Sequence, residues 1–87
     1  MKLELSQQAR EDLAHWARSD RKTALKIADL LEEIRQTPYT GKGKPEPLRH
    51  ELSGYWSRRI NTKDRIVYRI DETNATAYIA SLRNHYS

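Results

Sequence analysis

The chain has 87 residues, no cysteine and a formal net charge of +4 at pH 7. A chain of this length is expected to form one domain, residues 1–87, with a modest hydrophobic core. The lack of cysteine excludes disulfides and thiolate metal sites. The opening "MKLELSQQAR" has no apolar run typical of a signal peptide, and no stretch approaches the roughly 18 apolar residues of a membrane span. We therefore expect a cytoplasmic protein without a membrane partner.

The positive charge is concentrated in the second half of the chain. Residues 1–40 carry seven Lys/Arg and seven Asp/Glu, whereas residues 41–87 carry nine Lys/Arg and five Asp/Glu. A basic surface confined to one half fits an anionic partner such as nucleic acid. It fits equally well a solvated basic face that keeps the protein soluble. Charge alone leaves both interpretations open.

The chain begins with a predicted strand and a predicted helix. "MKLEL" alternates apolar and polar residues, as a half-buried strand does. Ser6 is a suitable N-cap for the helix that follows. This first helix is predicted to end near Arg18. Its apolar residues recur at helical spacing: Ala9, Leu13, Trp16 and Ala17.

A second helix follows after a tight turn. Ser19 or Asp20 is its predicted N-cap. It should end near Gln36, because Pro38 pushes Thr37 toward extended geometry. One face of this helix is apolar: Ala24, Ile27, Leu30, Leu31 and Ile34. The two segments predict a helical hairpin.

A loop rich in glycine and proline, "TPYTGKGKPEPL", separates the helices from three strand-like runs. The runs cover residues 55–60, 65–70 and 75–82, with "NTKD" and "DETN" as turns between them. We therefore predict an α+β fold in which two N-terminal antiparallel helices pack on one face of a mainly antiparallel sheet.

The first two runs are predicted to form a hairpin with Arg59 opposite Arg65. A slip by one residue would mix arginines with isoleucines on both faces, so this register segregates the side chains better. One face is then apolar apart from Arg58: Trp56, Ile60, Ile66, Tyr68 and Ile70. The other face is open: Tyr55, Ser57, Arg59, Arg65, Val67 and Arg69. An arginine-rich face suits phosphate, although solvated arginines on the wet side of a sheet are common.

Two further side chains are candidates for proton transfer. Glu46 lies between two prolines that stiffen the backbone, and nearby cations would keep its carboxylate ionised, as a base needs to be: Lys42, Lys44 and Arg49. His85 can exchange a proton near neutral pH. The ordinary alternatives are a surface Glu with weak ion pairs and a mobile His near a chain end. Pairing of the last strand would anchor the chain to about Leu82 and keep His85 within reach of the arginine face.

Together these residues match one reaction, the cleavage of RNA without a metal. That reaction needs a base for the ribose 2′-OH, a cation for the charge on phosphorus, and an acid for the leaving 5′-oxygen. Glu46, Arg65 and His85 would fill these roles in that order if they lie close together. The three histidines are too scattered to predict a metal site, and no cofactor is expected.

Four motifs follow one another in a characteristic order: "GKGKPEPL", "LSGYWSRRI", "DRIVY" and a closing His-Tyr pair. In this order they resemble the YoeB toxins, which belong to the RelE/ParE superfamily of bacterial toxin–antitoxin systems. The similarity covers essentially the whole chain. It implies a microbial-ribonuclease-like fold and a toxin that binds the ribosome and cuts mRNA in the decoding site.

The resemblance also implies roles for individual residues. Glu46 corresponds to the general base, Arg65 to the residue that stabilises the phosphate, and His85 to the general acid. Tyr86 is the terminal aromatic that helps to position the substrate. Basic candidates for RNA or phosphate binding are Lys42, Lys44, Arg49, Arg59 and Arg69. At Arg49 the resemblance leads us to expect Lys in close relatives, so the charge is kept and the geometry is not.

The partners implied by the resemblance are the ribosome, mRNA and a YefM-like antitoxin whose disordered C-terminal segment folds over the toxin. A homodimer is a further option. Two other functions stay open: a ParE-type toxin that poisons gyrase without nuclease activity, and an RNA-binding module that has lost activity. The ParE branch is not expected to carry Glu46, Arg65, His85 and Tyr86 as a unit.

Overall fold

A computed structural model describes residues 1–85 of the chain. Within them, two helices and five strands follow in the order β1 (Lys2–Leu5), α1 (Gln7–Ser19), α2 (Arg21–Gln36), β2 (Glu46–Pro47), β3 (Trp56–Arg59), β4 (Arg65–Asp71) and β5 (Thr76–Ser81), with a short 3₁₀ helix at His50–Leu52. The strands form one sheet in the order β1-β5-β4-β3-β2. β1 is parallel to β5, and the other neighbours are antiparallel. The predicted α+β architecture is confirmed.

Both helix N-termini are capped as the sequence predicts. The Ser6 hydroxyl accepts from the backbone N–H of Ala9 at 3.0 Å. Of the two alternatives for α2, Asp20 is the cap, because its carboxylate accepts from the backbone N–H of Thr23 at 3.1 Å. The Thr23 hydroxyl donates to the same carboxylate, and these hydrogen bonds lower the pKa of Asp20. Capping of this kind satisfies N–H groups that have no partner within the helix.

The hydrophobic core lies between the helices and the sheet. Ala9 of α1 and the apolar stripe of α2 meet the inward face of the strands and the segment after β5. The buried members are Ala9, Ile27, Leu30, Leu31, Ile34, Ile60, Ile66, Tyr68, Ala77, Ile79 and Leu82. Burial of such side chains contributes roughly 1.5–3 kcal/mol each, and is the main term that holds the helices on the sheet.

The predicted hairpin register is confirmed. Arg59 pairs with Arg65, and Trp56 pairs with Tyr68. The two faces follow from this register, since Ile66 and Tyr68 are buried while Arg65 on the opposite face is only partly covered. The sheet therefore presents an open face that carries the arginines.

Glu46 lies in a strand and not in the predicted loop. β2 is only two residues long and pairs with β3, with Glu46 opposite Ser57 and Pro47 opposite Trp56. An edge strand tolerates proline because one side of it needs no ladder hydrogen bond. The two-residue strand is too short to produce a periodic pattern, and it fixes Glu46 beside the open face of β3.

Neither helix within residues 1–85 combines the length and the apolar composition that a membrane span requires.

Arg58 is fully buried on the inward face of β3. Its guanidinium donates to carbonyl oxygens of the loop that follows α2: Thr37, Thr40 and Lys42. Its Nε donates to the hydroxyl of Tyr68 at 3.1 Å, and that hydroxyl donates to the carbonyl of Pro38 at 2.7 Å. A buried cation is tolerated only when polar groups replace its water. The loop supplies those groups and is thereby fixed to the sheet.

Replacing Arg58 should loosen this loop and destabilise the protein. Arg58→Met removes the donor to three partly buried carbonyls and to the buried Tyr68 hydroxyl, and a buried polar group left without its partner costs about 1–3 kcal/mol. We expect the free energy of unfolding to fall by about 3 kcal/mol and the melting temperature by at least ~10 °C. Thermal unfolding followed by circular dichroism measures this change.

The matched control is Arg59→Met, which removes the same charge from an exposed neighbour. Its melting temperature should stay within a few degrees of the wild type. Equal melting temperatures for both variants would show that Arg58 does not hold the loop.

Candidate active site

Glu46, Arg65 and His85 line one open cavity of about 730 Å³. They come from three separate parts of the sheet: Glu46 from the edge strand β2, Arg65 from the first position of β4, and His85 from the segment after β5. The sequence identified these side chains by type, and the structure brings them together. A carboxylate, a guanidinium and an imidazole around one cavity can remove a proton, bind a phosphate and donate a proton.

The carboxylate and the guanidinium are already in contact. Glu46 Oε1 lies 3.3 Å from Arg65 Nη1, which also lies 3.5 Å from the hydroxyl of Ser57. The side chains of Glu46 and Arg65 are 57% and 40% exposed. An ion pair this exposed is weak, typically about 0–1 kcal/mol, so an incoming phosphate can replace it.

A second cavity of about 740 Å³ adjoins the first, because Arg65 lines both. Lys42, Lys44 and Arg59 line it as well. These are three of the predicted phosphate-binding residues. Lys26 of α2 adds a cation to this cavity, which the sequence analysis did not single out. We refer to the two cavities together as the basic surface. Cations that line two adjoining cavities can bind phosphates of a nucleic acid strand.

The loop that carries Lys42 and Lys44 depends on Gly43. This glycine has φ +86°, and a Cβ there would lie 3.1 Å from the Cβ of Arg58 and 3.2 Å from the carbonyl oxygen of Arg59. The carbonyl of Gly43 accepts from the N–H of Arg59 at 2.7 Å. Both the positive φ and the close approach favour glycine. The contact holds the two lysines against the end of β3.

Two predicted phosphate-binding residues lie elsewhere. The Arg69 guanidinium stacks over the ring of Tyr78, 4.3 Å from its centroid, and lines a separate cavity of about 400 Å³. Arg69 is on the same face as Arg65 but four residues further along β4, about 13 Å at the usual strand rise. Arg49 is exposed just before the 3₁₀ helix and lines none of these three cavities.

The segment after β5 is tied to the rest of the fold by side chains from two other elements. Leu82 donates its N–H to Asp12 Oδ2 at 2.8 Å, and its carbonyl accepts from Trp16 Nε1 at 2.8 Å. Asn84 donates its N–H to Asp64 Oδ1, also at 2.8 Å. The expectation that the chain is anchored through Leu82 is confirmed. Predicted site residue Tyr86 lies outside the described residues.

Sequence reasoning missed two cations and a carboxylate near this site. Lys63, from the β3–β4 turn, and Arg83 line the first cavity with His85. Asp12 lies 2.9 Å from the imidazole of His85. Asp12 had a signal that was not used: it shares the inward face of α1 with Ala9 and Trp16, where a carboxylate is unexpected. No sequence pattern predicts a role for Lys63 or Arg83, apart from their closeness in sequence to Arg65 and His85.

In the described part of the chain, no group of three or more His, Cys, Asp or Glu side chains is arranged to hold a metal ion.

Comparison with known proteins gives consistent results for sequence and structure. A family model described as "YoeB-like toxin of bacterial type II toxin-antitoxin system" matches residues 5–86. Toxin YoeB of Escherichia coli K12 is 45% identical over 86 residues, which is 99% of this chain and 100% of that protein. The structure of a YoeB/ParE toxin from Agrobacterium tumefaciens superposes with a TM-score of 0.93 at 40% identity, covering 99% of this chain and 100% of the other.

YoeB of Staphylococcus aureus is similar in two solved assemblies. In a heterotetrameric YoeB–YefM toxin–antitoxin complex its TM-score is 0.88, and in a YoeB dimer it is 0.87. Both are 40% identical and cover 99% of this chain and 98% of theirs. The likeness therefore extends over nearly the full length of each protein.

The Glu46–Arg65 contact should contribute little to stability. Because both side chains are substantially exposed, Glu46→Gln is expected to change the free energy of unfolding by less than about 1 kcal/mol. Urea unfolding of the variant and the wild type measures the difference. A loss above about 2 kcal/mol would show that Glu46 has a structural role, and any loss of function would then need another explanation.

Proposed function

Because the chain belongs to the YoeB-like toxins of bacterial type II toxin–antitoxin systems, we propose that it is a ribosome-dependent endoribonuclease. It cleaves mRNA in the decoding site by metal-independent acid–base catalysis and so inhibits translation. One observation carries this proposal beyond the family: Glu46, Arg65 and His85, which are distant in sequence, line the same open cavity. Activity on the ribosome requires a cytoplasmic location.

Each of these three residues carries out one step of the cleavage reaction. Glu46 takes the proton from the ribose 2′-OH, and the 2′-oxygen attacks phosphorus. The guanidinium of Arg65 stabilises the negative charge that develops on the phosphate oxygens. His85 donates a proton to the 5′-oxygen as the P–O5′ bond breaks. The products are a 2′,3′-cyclic phosphate and a free 5′-hydroxyl. One proton is taken up by Glu46 and one is released by His85.

The basic surface holds the RNA strand around the scissile bond. Lys42, Lys44 and Arg59 lie in the cavity that adjoins Arg65, so they can bind phosphates that neighbour the scissile one. Arg49 and Arg69 lie outside both cavities of the basic surface, and we assign them to more distant phosphates. Tyr86 is proposed to position the substrate on the family resemblance alone.

A YefM-like antitoxin is the proposed protein partner. The related YoeB from S. aureus forms a heterotetramer with YefM, and the same toxin forms a dimer. An acidic antitoxin segment that covers the basic surface would neutralise it and block the cavity. The S. aureus dimer makes a homodimer of this chain the first assembly to test in the absence of antitoxin.

Loss of the base or of the acid should abolish most cleavage. A positioned general acid or base contributes typically ~10²–10⁴-fold, so Glu46→Gln and His85→Gln should each lower the cleavage rate by at least ~100-fold. The measurement is mRNA cleavage on programmed ribosomes in vitro, with the RNA ends mapped. Ribosome binding of both variants should remain close to that of the wild type.

Matched controls are Glu51→Gln and His50→Gln, which change the same residue types in the exposed 3₁₀ helix. Both should cleave like the wild type. If Glu46→Gln cleaves as fast as its control, Glu46 is not the base.

The attacking group can be tested on the substrate. A single 2′-deoxy substitution at the scissile nucleotide removes the nucleophile, so cleavage at that position should stop. Normal cutting of the deoxy substrate would contradict the mechanism. Expression that damages DNA without mRNA cleavage would instead indicate a toxin that acts on gyrase.

A further inference from the structure

Asp12 is a buried carboxylate that the mechanism above does not use. It lies on α1 and is 1% exposed. Oδ1 accepts from the side-chain amide of Gln8 at 3.1 Å, and Oδ2 accepts from the backbone N–H of Leu82 at 2.8 Å. The same Oδ2 lies 2.9 Å from Nε2 of His85. A buried carboxylate is costly unless its oxygens are hydrogen-bonded, and here the partners come from its own helix and from the segment that carries His85.

The contact leaves the two edges of the imidazole in different surroundings. The side chain of His85 is 41% exposed, whereas that of Asp12 is 1% exposed. One ring nitrogen therefore faces a buried acceptor, while the ring as a whole lines the cavity that holds Glu46 and Arg65. Oδ2 of Asp12 already accepts from the N–H of Leu82, and as an acceptor it pairs with an Nε2 that carries the hydrogen.

We infer that Asp12 is a positioning residue that fixes the ring of His85 through Nε2 and leaves Nδ1 to donate the proton to the leaving 5′-oxygen. The inference deepens the proposed function and depends on it. In the neutral ring, Nε2 bears the hydrogen and Nδ1 is an acceptor. In the charged ring, Nδ1 also bears a hydrogen, which is the one that passes to the 5′-oxygen as the P–O5′ bond breaks. Asp12 acts as a hydrogen-bond acceptor in this pair and transfers no proton.

Asp12 also anchors Leu82, so a structural effect must be separated from an effect on the acid. The carbonyl of Leu82 has its own anchor at Trp16 Nε1, and Asn84 is held by Asp64. Asp12→Asn keeps the shape and one oxygen acceptor but removes the charge. Asp64→Asn makes the same change in another buried carboxylate that holds the same segment without touching His85.

The experiment compares two RNA substrates in single-turnover cleavage on the ribosome. One has the natural 5′-oxygen leaving group, and the other has a 5′-sulfur, which leaves without being protonated. Misplacing a catalytic group by about 1 Å can cost ~10²-fold, so Asp12→Asn should lower kcat on the natural substrate by about 100-fold with little change in KM. On the sulfur substrate its rate should return to within about tenfold of the wild type, as should that of His85→Gln.

Two further variants should not recover on the sulfur substrate. Glu46→Gln should stay slow on both substrates, because the base is still missing. Asp64→Asn should show the same relative rate on both substrates, because Asp64 holds the backbone of Asn84, whereas Asp12 contacts the ring of His85. If Asp12→Asn is equally impaired on both substrates, Asp12 is only structural and the inference is overturned.

A measurement on the wild-type protein covers the case in which Asp12→Asn does not fold. Nitrogen-15 NMR of the neutral imidazole should show His85 with its hydrogen on Nε2. A hydrogen on Nδ1 would overturn the inference. If the wild type does not cleave mRNA at all, the proposed function fails, and the positioning of an acid by Asp12 fails with it. The NMR result then still decides which nitrogen of His85 faces Asp12 with its hydrogen.

Discussion

The buried guanidinium of Arg58 is the interaction on which the arrangement of the basic surface depends. A cation inside the core must replace its lost water with polar groups, and the loop after α2 provides three carbonyl oxygens. Burial raises the pKa of the Tyr68 hydroxyl, so the phenol stays neutral and donates to Pro38. The start of the loop is held as well, since the Tyr39 hydroxyl donates to Glu72 at 2.6 Å, and this hydrogen bond raises the pKa of Tyr39 to about 12. A segment rich in glycine and proline thereby takes one defined position.

A buried carboxyl group, that of Asp12, has a corresponding role for the segment that follows β5. Asp12 and Trp16 fasten the segment after β5 to α1, as Arg58 fastens the loop to β3. Neither segment is itself a strand, although the N–H of Arg59 on β3 donates to the carbonyl of Gly43 in the loop. Of the three candidate side chains, Glu46 and Arg65 lie on strands, whereas His85 lies on an irregular segment that α1 holds in place. Exposed side chains are thus carried by a rigid frame.

The sequence predicted the regular elements well because their signals are local. Helical spacing, the N-caps and strand alternation predicted the two helices, the four strands β1, β3, β4 and β5, and the pairing of Arg59 with Arg65. Contacts between distant positions left no such signal: Asp12 and His85 are 73 residues apart. The alternation of side chains shows which residues share a face of the sheet, but not how far apart their functional groups lie. The sequence therefore groups Arg69 with Arg65, whereas in the structure Arg69 stacks on Tyr78 and lines a different cavity. Thus the sequence predicted candidate residues that the structure brings to one cavity, but not the residues that position them.

The exposure of the candidate site offers a physical reason why the proposed reaction would need a ribosome. Glu46 and Arg65 are substantially exposed, and the cavity they share with His85 is open to solvent. Such a site orients its own side chains, but it neither encloses an RNA strand nor excludes water from it. Holding the reacting 2′-oxygen in line with the P–O5′ bond accounts for a large part of catalysis, up to about 7–11 kcal/mol in well-oriented intramolecular reactions. On the proposed function, the toxin supplies the acid, the base and the cation, and the decoding site supplies the constrained RNA. Free RNA, bound mainly by phosphate contacts, would reach the reactive geometry far less often.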